Sequence, residues 1–180
     1  MKLVTLTGGA GAGKTTLAAA IGAGVVVHQD DYYHFADPGR GVWMPDENGV
    51  PRLDVGDPRS VDFTRLDHDV SDALETSALV IVEGMFAIDV RPTRPCVRLD
   101  VFVDLPADLR LARKIYRQCV EGDMPLHILL TNYLNHRRAA YERHVEPSRD
   151  RCDLVVDAQL PTEHLAATVR GLLRAVPTAP

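Results

Sequence analysis

An α/β fold built on a mainly parallel sheet follows from three features of the sequence. Short β-branched runs alternate with segments of helical period along the whole chain; there are five such runs; and a glycine-rich loop joins the first run to the first helical segment. Strands that alternate with helices imply a sheet covered on both faces, a three-layer arrangement. In such sheets ligands lie outside the carboxyl ends of the strands.

Taken in order, "KLVTLT" reads as a buried strand and "GKTTLAAAI" as the helix after it. "GVVVH" reads as a second buried strand. The stretch from Asp30 to Arg59 is rich in Pro, Gly and Asp without sustained period and reads as a long loop, of the kind that is functional or mobile. Ser60 is the expected N-cap of a helix over "VDFTRLDHDVSDALE", where Val61, Leu66, Val70 and Leu74 recur at helical spacing. "ALVIVEG" and "VRLDVFVDL" supply strands three and four. "PADLRLARKIYRQCV" is a helix with proline in its first turn, "GDMP" interrupts, and "LHILLTNYLNHRRAAYERHV" is a long helical segment. "CDLVVD" is strand five, "PTEHLAATVRGLLRAV" the closing helix, and "PTAP" a frayed end. Residues 1–176 are expected to form one domain and 177–180 a tail.

Composition narrows the partners. At 180 residues and 46% hydrophobic the chain suits a single well-buried core. A net charge of -5 argues against an extended nucleic-acid or anionic-membrane footprint. No run approaches the roughly 18 to 20 apolar residues of a membrane span, and the N-terminal "MKLVTLTGG" lacks a signal-peptide pattern. Cys96, Cys119 and Cys152 have no metal-ligand spacing and read as thiols of a reducing compartment. A cytoplasmic protein with neither nucleic-acid nor membrane partner is expected; a homo-oligomer is left open.

"GGAGAGKT" fits G-x-x-x-x-G-K-[ST] between a strand and a helix. Gly8, Gly9, Ala10, Gly11, Ala12 and Gly13 turn backbone N–H groups around phosphate oxygens, Lys14 reaches the β- and γ-phosphates, and Thr15 offers a hydroxyl to Mg²⁺, with Thr16 opening the helix. ATP or GTP is the expected ligand, and no N-K-x-D guanine motif occurs.

"HQDDYYHF" then adds what transfer of a phosphoryl to an alcohol needs. A carboxylate must reach the hydroxyl close to the metal, and Asp30, the first aspartate past strand two, is the expected base; Asp31 remains an alternative. Asp31, Tyr32 and Tyr33 are candidates to line an acceptor pocket. Glu83, at the end of "VIVEG", falls beside the phosphate loop. Arg110, Arg113, Lys114 and Arg117, with Arg137, Arg138 and Arg143 further on, supply cations for the transferred phosphoryl. Arg113 and Arg117 share a helical face, and the cluster ahead of "EGDMP" reads as a lid over about 113–128.

Assembled, these segments resemble the uridine kinase and nicotinamide riboside kinase group of the phosphoribulokinase-like P-loop kinases, from Leu3 to about Asp157. The resemblance implies a P-loop kinase three-layer fold with a five-stranded mainly parallel sheet and a short lid, with ATP and Mg²⁺ as cofactors. It implies Thr15, Asp30 and Glu83 at the metal, Lys14 and Asp30 in phosphoryl transfer, Arg113, Lys114 and Arg117 around the transferred phosphoryl, and Tyr33 facing the acceptor; Asp31, Asp54, Asp57, Lys114 and Arg138 are the further candidates for holding the acceptor. The implied acceptor is a nucleoside 5′-hydroxyl, of nicotinamide riboside or a uridine- or cytidine-like riboside. Two departures bear on it. "LDVGDPRSVD" has Gly56 where the family has a ribose-binding aspartate, with Asp54 and Asp57 beside it, and "EGDMP" stands where uridine kinases read E-R-G-R. They keep open a sugar, a pantothenate-like vitamin or an antibiotic as acceptor, and, from another class, an ATPase regulator or assembly factor.

Overall fold

A computed structural model describes residues 1–22, 24–46 and 49–175; the expected frayed tail, 177–180, lies outside them. Five strands, β1 (Lys2–Thr7), β2 (Val25–His28), β5 (Leu79–Gly84), β6 (Val97–Asp104) and β7 (Leu154–Asp157), form one sheet in the order β2-β5-β1-β6-β7, and every pairing is parallel. The chain lays down β1 at the centre, places β2 at one edge, fills the gap between them with β5, then crosses to the other side for β6 and β7. The carboxyl ends of β1, β2 and β5 therefore converge, the usual place for a ligand in such a sheet.

Residues two apart along a strand share a face. Val4 and Leu6 of β1, with Ile81, Val101 and Val103, meet α1 (Lys14–Ile21) and α6 (Thr162–Ala175) through Leu17, Leu165 and Val169. Leu3, Val80, Val82 and Phe102 meet the opposite layer, chiefly Leu66, Val70 and Leu74 of α2 (Phe63–Thr76). Both faces are thus covered.

Two expectations are corrected. β2 is an edge strand, with Val25 41% exposed, because β5 inserts between it and β1. Ser60 does not cap α2; Asp62 does, accepting from Arg65 N, while the buried Ser60 Oγ accepts from Val42 N at 3.1 Å. The Asp30–Arg59 stretch is also more structured than its composition suggests. It holds a short antiparallel hairpin, β3 (Trp43–Pro45) and β4 (Pro51–Leu53), and a 3₁₀ turn at Pro58–Ser60 that is N-capped by Asp57.

On the far side of β1, α3 (Ala107–Ile115) continues into a π turn at Tyr116–Val120. After the 121–125 break, α4 (Leu126–Asn132) and the one-turn α5 (Arg138–Ala140) alternate with π turns at Tyr133–Arg137 and Tyr141–Val145. This arm faces the hairpin across the mouth of the sheet. No helix among the described residues is long and apolar enough to cross a membrane.

Candidate active site

The convergent strand ends open into a cleft of about 810 Å³. Its floor is the glycine-rich loop, whose curvature depends on residues no side chain suits: Gly11 has φ +86° and Gly13, the N-cap of α1, φ +97°. Lys14 is buried beneath it, with Nζ donating to the carbonyls of Gly8 at 3.0 Å and Gly9 at 3.1 Å. Burial lowers its pKa; Glu83 and Asp30 offset this, and Arg110 and Arg117 add to it. The ammonium is therefore held by two neutral carbonyls and two nearby carboxylates, poised for a stronger anionic partner.

Parallel pairing of β2 with β5 sets His28 opposite Glu83. Glu83 Oε1 accepts from Thr15 Oγ1 at 2.9 Å and lies 2.8 Å from His28 Nδ1, which fixes the orientation of this buried carboxylate. Asp30 follows on the 3₁₀ turn Gln29–Tyr32 and lines the same cleft. Its side chain opens to the cleft, yet the surrounding protein leaves it poorly solvated: desolvation raises its pKa, Lys14 opposes this, and Glu83 and Asp31 reinforce it. A carboxylate of raised proton affinity beside a phosphate cradle suits proton abstraction.

The expected residues separate cleanly. Ala10 to Thr16, Asp30, Tyr33, Glu83, Arg113, Lys114 and Arg117 all line the cleft, and Arg113 Nη1 reaches Gly11 O at 3.5 Å. Tyr33 is tied by its hydroxyl to Val55 O at 2.8 Å, and burial raises its pKa. Asp31 is not among the lining residues; its carbonyl accepts from Arg65, and its side chain stays in solvent. Tyr32 turns into the α2 layer, where its hydroxyl donates to Asp69 at 2.9 Å.

Asp54 lies in an adjoining recess of about 380 Å³, locked to Arg137 Nη1 at 2.6 Å. Asp57 is buried away from the cleft against Arg59 at 2.8 Å, because it caps the 3₁₀ turn. Arg138 lines a third space, a chamber of about 630 Å³, and pairs with Glu142 at 3.0 Å. His28 and the Asp54–Arg137 tie were not legible in the sequence, since both depend on which strand or helix lies opposite. The same holds for Gln29, whose buried Oε1 accepts from Phe86 N at 2.8 Å.

Comparison with known proteins gives this geometry a relationship. The model of the "Phosphoribulokinase / Uridine kinase family" matches residues 54–166, more than half of the chain. The protein belongs to the phosphoribulokinase / uridine kinase family. It is a phosphotransferase with an alcohol group as acceptor. Curated uridine kinases from Borrelia turicatae (26% identical, 87% of this chain and 86% of the relative), Limosilactobacillus reuteri (26%, 95% and 91%) and Chlamydia pneumoniae (29%, 87% and 81%) are among its relatives. Solved structures of similar fold include a sugar kinase from Janibacter sp. (TM-score 0.60, 19% identity, 98% of this chain and 96% of that one). A gluconokinase from Sinorhizobium meliloti is another (TM-score 0.56, 18%, 97% and 93%). The expected P-loop kinase architecture is thereby confirmed.

Proposed function

We propose that the protein transfers the γ-phosphoryl of ATP to a small-molecule alcohol, the 5′-hydroxyl of a nucleoside being the acceptor to which its uridine kinase relatives point. The observation that carries this is one cleft holding both a phosphate cradle and a carboxylate open to it: Lys14, Thr15 and Glu83 at its floor, Asp30 at its rim, Tyr33 beyond. ATP fits the glycine-rich loop because its phosphates would replace the neutral carbonyls that now hold Lys14.

Mg²⁺ fits the same corner. The Thr15 hydroxyl and the Glu83 and Asp30 carboxylates are oxygen donors of the kind it selects, and it needs few of them because it keeps waters and phosphate oxygens. Bound there, it would neutralise charge on the transferred phosphoryl. No group of three or more His, Cys, Asp or Glu able to cage a metal occurs among the described residues.

In this reading Lys14, Arg113 and Arg117 hold the phosphates, and Asp30 accepts the hydroxyl proton as the acceptor oxygen attacks. The arm over about 113–128 closes as a lid on a single domain spanning 1–176. Asp30→Asn is the test. It should lower kcat by about 10³-fold with affinity for an ATP analogue unchanged. Retained turnover would remove Asp30 from the role of base.

Gly56 favours a second reading, a non-nucleoside alcohol. A Cβ at this position would meet Ala140 Cβ at 2.8 Å, so the wall at this point is closed against α5 and has no room for a carboxylate. Of its neighbours, Asp54 is committed to Arg137 and Asp57 to Arg59. Turnover of uridine, cytidine and nicotinamide riboside, measured against sugars and pantothenate, separates the two.

A further inference from the structure

Helix α3 and the π turn that continues it sort their cations by face. Arg113 reaches the glycine-rich loop at Gly11, and Arg117 is close enough to act on Lys14. Lys114 is one residue from Arg113, hence about 100° round the helix. It lines both the cleft and the 630 Å³ chamber, which also share Ala10, Val55 and Met85. The two spaces adjoin at this lysine.

Lys114 is half-buried and, among the described residues, has neither hydrogen bond nor ion pair. The charges that act on it are Arg137 and Arg117, both cations, and together with loss of water they depress its pKa. Apart from Arg117, which is exposed to water and has no hydrogen bond or ion pair among the described residues, the other cations nearby are answered. Arg137 is held by Asp54, Arg138 by Glu142 and Arg149 by Asp104, while Arg110 stacks on Tyr141 and donates to Leu105 O. Asp104 and Glu142, which line the chamber, are occupied by those pairs; Asp108 and Glu146 also line it, but neither is among the charges acting on Lys114. An ammonium left half out of water beside two guanidinium groups is unfavourable unless an anion joins it.

Resting on the kinase reading above, we propose that the acceptor alcohol carries an anionic group of its own, a carboxylate or a phosphate, and that Lys114 seats it at the mouth of the chamber. The hydroxyl then lies toward Asp30, and the remainder of the acceptor packs on Val55, Met85, Leu105, Leu111, Tyr133 and Tyr141. ATP does not account for Lys114, because Lys14, Arg113 and Arg117 already face the loop that holds its phosphates.

Matched alcohols differing by one charge test this in the full-length enzyme with Mg·ATP and coupled ADP detection. Orotidine against uridine and pantothenate against panthenol probe a carboxylate; ribose 5-phosphate against ribose probes a phosphate. The charged member of at least one pair should have the higher kcat/KM by about 10- to 100-fold, the span of a charge-assisted contact, and the pair that shows it tells carboxylate from phosphate. Lys114→Met should bring that ratio close to one with the KM for ATP within about twofold, and Lys114→Arg should restore part of it. The thermal midpoint of Lys114→Met should not fall, since an unanswered cation is removed. Preference for the neutral member in every pair overturns the inference while leaving the kinase reading intact. So does a Lys114→Met variant that raises the KM for ATP and keeps the ratio. Absence of turnover with all six alcohols overturns the kinase reading, and the inference falls with it.

Discussion

The proposed donor and acceptor sides of the cleft are built from different materials. The donor side is backbone: a loop whose path depends on left-handed glycines, with Lys14 held by the carbonyls of Gly8 and Gly9. The proposed acceptor side is walled by side-chain ties: Tyr33 on Val55 and Asp54 on Arg137, with an unanswered Lys114 between. A backbone cradle serves any nucleoside triphosphate and tolerates little change in sequence. A wall of side-chain ties can be re-cut one residue at a time, so acceptor choice can diverge while the donor machinery stays fixed.

The difference is tested most severely on the donor side. At Gly11, φ is +86° and an added Cβ would lie 2.7 Å from the carbonyl oxygen of Arg110, a backbone atom that cannot swing aside. Gly11→Ala should cost about 2 kcal/mol or more in strain, and the affinity for an ATP analogue, read by calorimetry, should fall by at least about 30-fold. An affinity within threefold of the parent would mean that side chains, not backbone, define the cradle.

Gly56→Asp addresses the acceptor side and should have a smaller, one-sided effect. The new Cβ meets Ala140 at 2.8 Å and approaches Asp54 Oδ1 at 3.2 Å, so α5 must move and a second carboxylate enters beside the Asp54–Arg137 pair. Acceptor KM should rise about tenfold, the order expected of overpacking with like charge, with the KM for ATP within twofold. Equal changes in both constants would show the two sides to be mechanically coupled.

What could be read from sequence follows the same division. The glycine-rich loop, Lys14 and Thr15 are legible because their chemistry is contiguous in the chain, and the five strands because their apolar runs are. Features that depend on the neighbour across a gap are not. Nothing in "GVVVH" says that β5 inserts beside it and leaves it at an edge, or that His28 will face Glu83. Ser60 and Asp62 are both good caps by type, and only the buried bond from Val42 N to Ser60 Oγ decides between them. The β3–β4 hairpin is hidden because its strands are three residues long and end in paired prolines, Pro45 and Pro51. The place of Asp30 at the cleft is legible because it follows β2 within two residues, whereas the positions of Asp54 and Asp57 turn on a helical arm some 80 residues away and on a local cap.

Asp57 yields the smallest effect, one confined to stability. Its Oδ1 accepts from the backbone N–H of Arg59 at 2.9 Å, capping the 3₁₀ turn, and the Arg59 guanidinium binds both its oxygens. The Arg59 side chain is largely in water, so screening leaves the ion pair little weight and the cap carries most of the contribution. These bonds, Arg59 side chain first, hold the Asp57 pKa below its ordinary value of 3.8, with His144 adding to the effect. A carboxylate depressed in the folded state stabilises it at pH above the unfolded value, and that stabilisation is lost as pH falls through the folded value. Asp57→Ala should therefore lower stability by about 1 kcal/mol at pH 7, a shift of roughly 2–4 °C in Tm for a chain of this size. The gap between parent and variant should narrow below about pH 4. Because Asp57 faces away from the cleft, KM for ATP and for acceptor should both stay within about twofold, a margin under 0.5 kcal/mol. A large change in acceptor KM would instead bring Asp57 into the acceptor wall and erase the distinction between it and Asp54.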